Sequence, residues 1–206
     1  MTKLEWKKDE KNFYQPKTEP SFLTLPPLSY LTIHGQGAPA SPGFQKAVET
    51  LFSLSYSLKF APRKGLQIDG YKEYAVYPLE GLWDITQEAV IKGSWTKDDL
   101  VYTLMIRQPD FITPSHVEAI KTSLAKKGLL LDQVKLETIE EGETAQILHV
   151  GPFDNEPETF RKLEAFVIEK GVERAFKTHK EIYLSDFNKT APDKLKTILR
   201  IAVKKR

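Results

Sequence analysis

The sequence predicts an α+β domain built from a duplicated strand–helix–strand–strand unit. Three observations carry this. His34-Gly35-Gln36-Gly37, followed by Pro42, Phe44 and a helix, parallels His149-Val150-Gly151-Pro152, followed by Pro157, Phe160 and a helix. Tyr71-Lys72-Glu73 parallels His179-Lys180-Glu181. Tyr102-Thr103-Leu104-Met105 parallels Lys196-Thr197-Ile198-Leu199. One unit alone cannot bury both its helix and its sheet edge. Two side by side would form one antiparallel sheet with two helices flanking a ligand crevice.

The elements follow in order. Residues 1–24 read as an N-terminal arm anchored by Leu4, Trp6, Phe13 and Tyr14, with Pro16, Pro20, Pro26 and Pro27 keeping its linker extended. Residues 25–206 read as one domain of two pseudo-repeats, about 25–110 and 130–206. Residues 28–34 are rich in β-branched and aromatic side chains and predict a strand, stopped by Gly35-Gln36-Gly37-Ala38-Pro39. Ser41 is the N-cap and Pro42 the first residue of a helix over 42–58, whose inward face is Phe44, Val48, Leu51, Phe52 and Ser55. Residues 71–78 predict a strand, and Leu79-Glu80-Gly81-Leu82-Trp83 a glycine-containing turn. Residues 100–108 predict a strong strand ended by Pro109. A second helix starts at Pro114 or Ser115, buries Val117, Ile120 and Leu124, and stops at Gly128. Residues 134–138 and 144–150 predict a hairpin around Glu140-Glu141-Gly142-Glu143. A helix over 156–170 and strands over 178–185 and 195–203 complete the chain.

Composition bounds the function. The chain has 206 residues, 40% hydrophobic and 28% charged, an ordinary globular balance. Net charge is +2 on 30 basic and 28 acidic residues, with no basic stripe, so no nucleic-acid partner is expected. There is no cysteine, which excludes disulfides and thiolate chemistry and suits a reducing cytosol. Met1 to Gln15 has no apolar core of a signal peptide, and no apolar run approaches the roughly 20 residues of a membrane span. The expectation is a cytoplasmic protein with no membrane partner. The four histidines have no metal-ligand spacing, and Gly35-Gln36-Gly37 lacks the remaining residues of a phosphate loop, so no metal and no cofactor are expected.

The chemistry centres on 178–187. Strand alternation sends Ile182 and Leu184 one way and Glu181, Tyr183 and Ser185 the other. A carboxylate and a phenol therefore share a face. On a pocket floor Glu181 would be partly desolvated, which suits a base. On an open face it would be a surface glutamate bridged to Lys180 or Lys196. Glu73 is its counterpart in the first half, and Glu80 is placed to reach the cleft rim. Trp83, Trp95, Tyr71, Tyr74, Tyr102 and Tyr183, with Met105, supply apolar and aromatic surface for a flat ligand.

Together, the strand–Gly-Pro–helix run, His179-Lys180-Glu181-Ile182-Tyr183-Leu184-Ser185-Asp186 and Thr197 to Val203 resemble the GyrI-like small-molecule-binding domain, a SOUL-type duplicated fold. Tyr56 to Phe60, Pro78-Leu79-Glu80-Gly81-Leu82-Trp83 and Leu104-Met105-Ile106-Arg107-Gln108-Pro109 resemble its stand-alone branch. The resemblance covers roughly 25–206. It implies a pocket for planar aromatic, often cationic, small molecules with the Glu181 position inside it. It further implies a hydrolase that opens cyclopropane-bearing genotoxins; such chemistry needs a base to direct water, Glu181 or Glu80, and a donor to the developing oxyanion, for which Tyr183 would serve. A binding module that only sequesters drugs, and an inhibitor or adaptor of a larger protein, remain the alternatives. The oligomeric state is open.

Overall fold

The computed structural model describes residues 3–205. In chain order the elements are α1 (Trp6–Asp9), α2 (Lys11–Tyr14), β1 (Ser21–Leu25), β2 (Leu28–Gln36), α3 (Pro42–Phe60), β3 (Leu79–Ile85), α4 (Gln87–Lys92), β4 (Leu100–Arg107), α5 (Pro114–Leu124), β5 (Lys135–Ile139), β6 (Gly142–Val150), α6 (Glu156–Glu169), β7 (Val172–Arg174), β8 (His179–Tyr183) and β9 (Lys196–Lys205). The class is α+β, and every strand pairing with a defined register is antiparallel.

The helix signals act as their chemistry requires. The Ser41 hydroxyl accepts from the Phe44 amide and Pro42 opens α3, so donors left over at the helix start are satisfied locally. Gly128 ends the turn after α5 in the left-handed region, at φ +62°.

The chain divides into two compact units. The first comprises Leu28–Leu79 and Trp83–Ile139, joined by the described residues up to Glu5. Its strand order is β3-β4-β2-β5, with Trp83 to Ile85 contributed by β3. Helix α3 packs on β2, β4 and α5. β2 lies between two partners, so Tyr30, Leu31, Thr32 and Ile33 are all buried. β2 runs through Gly35 and Gln36, past the expected stop, and turns only at Gly37 with φ +111°. Gly35 is opposite Tyr102, and a Cβ there would sit 2.5 Å from the tyrosine ring. The missing side chain is thus what lets the ring lie over the strand.

The second unit comprises Trp6–Pro27, Glu80–Leu82 and residues 140–205. Its strand order is β1-β6-β9-β8, with β7 on the outer part of β9. One face of β6 and β9 presents Ala145, Ile147, Leu199, Ile201 and Val203 to Leu163 and Val167 of α6, with Phe160, Phe166 and Val172 at the margin. Each Leu, Ile or Val side chain among these contributes about 1.5–3 kcal/mol when fully buried. Within the residues expected as an anchored arm, Ser21–Leu25 pairs with β6, and Trp6 and Tyr14 are buried.

Three local expectations are corrected. Residues 71–78 form no strand; Tyr74 makes one isolated parallel bridge to Leu4. The intermediate strand of the first half is β3, which replaces the expected turn at 79–83, because Leu79 and Trp83 bury their side chains in strand alternation about Gly81. The parallel between 71–73 and 179–181 therefore fails at the level of structure. Finally, β5 and β6 do not form a hairpin. β5 pairs with β2, whereas β6 pairs with β1 and β9, so Gly142 at φ +62° redirects the chain and does not close a turn.

Candidate functional site

β8 separates two polar groups by alternation alone. Lys180 and Ile182 are buried on one face; His179, Glu181 and Tyr183 lie half-buried on the other. Both groups belong to the second unit.

The Lys180 face is an ion network. Lys180 Nζ lies 3.1 Å from Glu80 Oε2 and also donates to Glu141. Register sets Lys180 opposite Arg200 and Arg200 opposite Gln146. Arg200 donates to Gln146 Oε1 at 2.9 and 3.2 Å and to the Phe13 carbonyl at 2.8 Å. Gln146 Nε2 donates to the Asn12 carbonyl at 2.9 Å, and the Tyr14 hydroxyl lies 3.5 Å from Glu80 Oε1. Burial opposes ionisation of Glu141, but Lys180 and Arg200 outweigh it and hold its carboxyl below the ordinary range. The Lys180 ammonium is ion-paired with both carboxylates, although Glu80 Oε2 makes no hydrogen bond, and the Arg200 and Gln146 bonds to the Phe13 and Asn12 carbonyls tie the N-terminal segment to the sheet. Glu80, expected at a cleft rim, is 0% exposed in this network, because β3 turns its side chain inward beside Lys180.

The opposite face carries a carboxyl pair. Glu181 Oε1 accepts from His179 Nε2 at 2.9 Å, and Glu181 Oε2 accepts from the Tyr183 hydroxyl at 2.8 Å. Glu181 is thus bridged to neither Lys180 nor Lys196. Phe160 meets the His179 ring edge-on at 4.7 Å, and Phe153 meets Tyr183 at 6.0 Å. The fourth polar member is Glu156, the first residue of α6 and only 7% exposed. Burial, then the charge of Glu181 and a hydrogen bond with it, push the Glu156 carboxyl up to about 9. Its Oε1 is buried with no hydrogen-bond partner. At neutral pH the Glu156 carboxyl therefore holds its proton, in hydrogen-bond contact with Glu181.

Apart from Tyr183, which is in the second unit, the aromatic residues expected to form a wall fall into groups in the first unit. Trp83 stacks on Phe44 at 5.9 Å and meets Tyr102 at 5.6 Å; Phe44 and Tyr102 are 5.1 Å apart. All three are buried. Tyr71 and Tyr74 pack with Phe111, and the Tyr71 hydroxyl donates to the Lys59 carbonyl. Burial raises the pKa of Tyr71, Tyr74 and Tyr102. Met105 is in the core, while Trp95 is 57% exposed. Glu73 is on the surface, 3.4 Å from Arg63.

Sequence reasoning missed Glu156, Glu141, Lys180 and Arg200. An acidic residue in a first helical turn ordinarily reads as a partner for the helix dipole, so Glu156 carried no distinguishing mark. Lys180 did carry one: alternation puts it on the same face as Ile182. Also missed was a ladder on α3, where Phe52, Tyr56 and Phe60 stack at successive 6.4 Å spacings. Tyr56 is 47% exposed, and Arg63 lies 5.0 Å over the Phe60 ring. Phe52 belongs to this ladder and not to the fully buried face of α3.

The GyrI-like small molecule binding domain matches residues 18–204. The chain belongs to that family. No curated protein matches. A hydrolase from Listeria innocua is 36% identical, with 98% of this chain and 100% of that chain covered and a TM-score of 0.90. An uncharacterized conserved protein from Listeria innocua gives the same identity, coverage and score. The EcmrR C-terminal domain shares the fold at 10% identity, over 91% of this chain and 98% of that one, with a TM-score of 0.55. Among the described residues of this GyrI-like chain no helix is long and apolar enough to cross a membrane, and no cluster of metal-binding side chains occurs.

Membership makes this chain a small-molecule binder. Within the second unit, the Glu181 cluster offers two carboxyl groups in contact and two aromatic edges. A carboxylate has about four lone-pair positions, so accepting from His179 and Tyr183 leaves capacity for a further donor.

Proposed function

We propose that this GyrI-like protein binds planar aromatic small molecules, cationic or electrophilic, and hydrolyses cyclopropane-bearing electrophiles, protecting the cell that makes it. The observation that carries the reading is Glu181, held by His179 and Tyr183 beside the protonated Glu156. Glu181 accepts a proton from water as it attacks the strained ring. As Glu181 takes the water proton, the Tyr183 hydroxyl turns its single hydrogen from Glu181 Oε2 to the oxygen that gains charge. The similarity to a hydrolase from Listeria innocua over nearly the whole chain supports a hydrolytic reaction.

The test is incubation of a cyclopropane-bearing, DNA-alkylating aromatic compound with a small fraction of its molar amount of protein. Many turnovers per protein are expected. Glu181→Gln keeps the shape but cannot take the proton, so it should retain binding and lose about 10²–10⁴ in turnover. One equivalent consumed per protein, or unaltered turnover in Glu181→Gln, overturns the reading. The second reading is sequestration without chemistry. It is favoured by the donors already on both Glu181 oxygens, which suit a fixed countercharge. In that case Glu181→Gln weakens cationic ligands and spares neutral ones.

A further inference from the structure

The hydrolytic reading assigns a base and an oxygen-directed donor, yet it leaves the Glu156 carboxyl unused. That group is an anomaly as structure. It is buried at the start of α6, its Oε1 has no hydrogen-bond partner, and the charge beside it is another carboxylate. The cations nearby in the fold do not serve it: Lys180 and Arg200 face the other side of the sheet and are held by Glu80, Glu141 and Gln146. A buried acid with one oxygen left without a partner costs stability.

The surroundings define its state. Its hydrogen-bond contact is the Glu181 carboxyl of β8, whose two oxygens also take His179 and Tyr183. On β9 the residue opposite Glu181 is Leu199, which is apolar. On β6 the His149 ring is engaged by Thr159 at 2.8 Å and the Pro152 carbonyl at 3.1 Å. Glu181 is thus the one charged group in hydrogen-bond contact with Glu156 among the described residues. Two carboxyl groups that touch in a poorly hydrated place cannot both ionise, so the pair keeps one proton.

The geometry points to Glu156 and Glu181 as a proton-sharing catalytic pair, with Glu156 as the acid that protonates the bound electrophile. This rests on the hydrolytic reading above. In the step, the Glu156 proton passes to the ligand oxygen conjugated with the cyclopropane. Water oxygen bonds to the ring carbon as the ring C–C bond breaks, and that electron pair moves into the conjugated system. The water proton passes to Glu181. A proton then crosses from Glu181 to Glu156 through their hydrogen bond and restores the starting state. The sum is addition of one water, with no co-reactant.

Two measurements on the full chain test this. Infrared difference spectroscopy of the free protein should detect a protonated carboxylic acid at neutral pH. Its carbonyl band should disappear as pH rises through about 9, and it should be missing in Glu156→Gln. No band at neutral pH, or an equal band in Glu156→Gln, overturns the pair. In turnover, Glu156→Gln should lower kcat about 10²–10⁴-fold with little change in KM, and should remove the alkaline limb of the kcat profile. An active wild type with equally active Glu156→Gln overturns the acid role alone. A wild type that never turns over defeats the hydrolytic reading and the acid role together, while the infrared band still decides whether the proton is shared.

Discussion

The two units repeat one frame and fill it oppositely. His34 faces Thr103 in the first, and His149 faces Thr197 in the second. One residue on, Gly35 faces Tyr102, whereas Val150 faces Lys196. In the first unit that step holds a packed ring trio, Phe44, Trp83 and Tyr102. In the second, Val150 is exposed and the buried polar groups lie around β8. The contrast separates what a duplication supplies from what a site needs. Strand register and helix placement come with the frame; a buried carboxyl without a cation does not.

Removing one buried anchor from each unit should have the largest effects. Lys180→Met should cost about 3–5 kcal/mol, because Glu80 and Glu141 lose the ammonium between them. Trp83→Ala should also cost about 3–5 kcal/mol, for lost apolar burial. Their pH behaviour should differ. Denaturant unfolding of Lys180→Met should approach wild type as acid neutralises the two carboxylates, whereas the Trp83→Ala deficit should persist.

Next in size is the pH dependence of stability. The Glu156 pKa rises from 4.5 unfolded to about 9 folded, so the folded state binds the extra proton between those values. Its contribution is complete below about 4.5 and is lost as pH climbs through about 9. Melting temperature should fall over that window, and Glu156→Gln should flatten the fall. A wild-type curve with no alkaline decline would contradict the shared proton. Glu141 acts in the other direction: its stabilising ion pairs should fail only as pH drops below the ordinary carboxylate range.

Smaller effects test the frame itself. Gly35→Val, which installs the residue found at the matching place in the second unit, should cost about 1–3 kcal/mol by displacing the Tyr102 ring. His149→Ala should cost about 1–3 kcal/mol, since a buried ring with two partners is lost. His34→Ala, at the same register but exposed, should stay within about 0.5 kcal/mol. Equal losses at His34 and His149 in chemical unfolding would show that register, and not burial, sets their worth.

Much of this was legible in the residues. Periodicity and stop signals located α3, α5, α6, β4, β8 and β9, because each element's own side chains carry its pattern. Alternation at Glu181 and Tyr183 was enough to place them on one face, and the paired His34 and His149 motifs were enough to suggest duplication. Other features depended on partners distant in sequence. Residues 79–83 became a strand and 71–78 did not, since strand pairing is settled by which neighbour completes a backbone ladder. β5 and β6 look like a hairpin locally, yet each is claimed by a different distant strand. Glu80 and Glu156 are ordinary glutamates in sequence. Tertiary structure alone decided that one meets Lys180 and the other meets a second carboxylate, because the charge state of a buried acid is set by the groups folded against it and not by its neighbours along the chain.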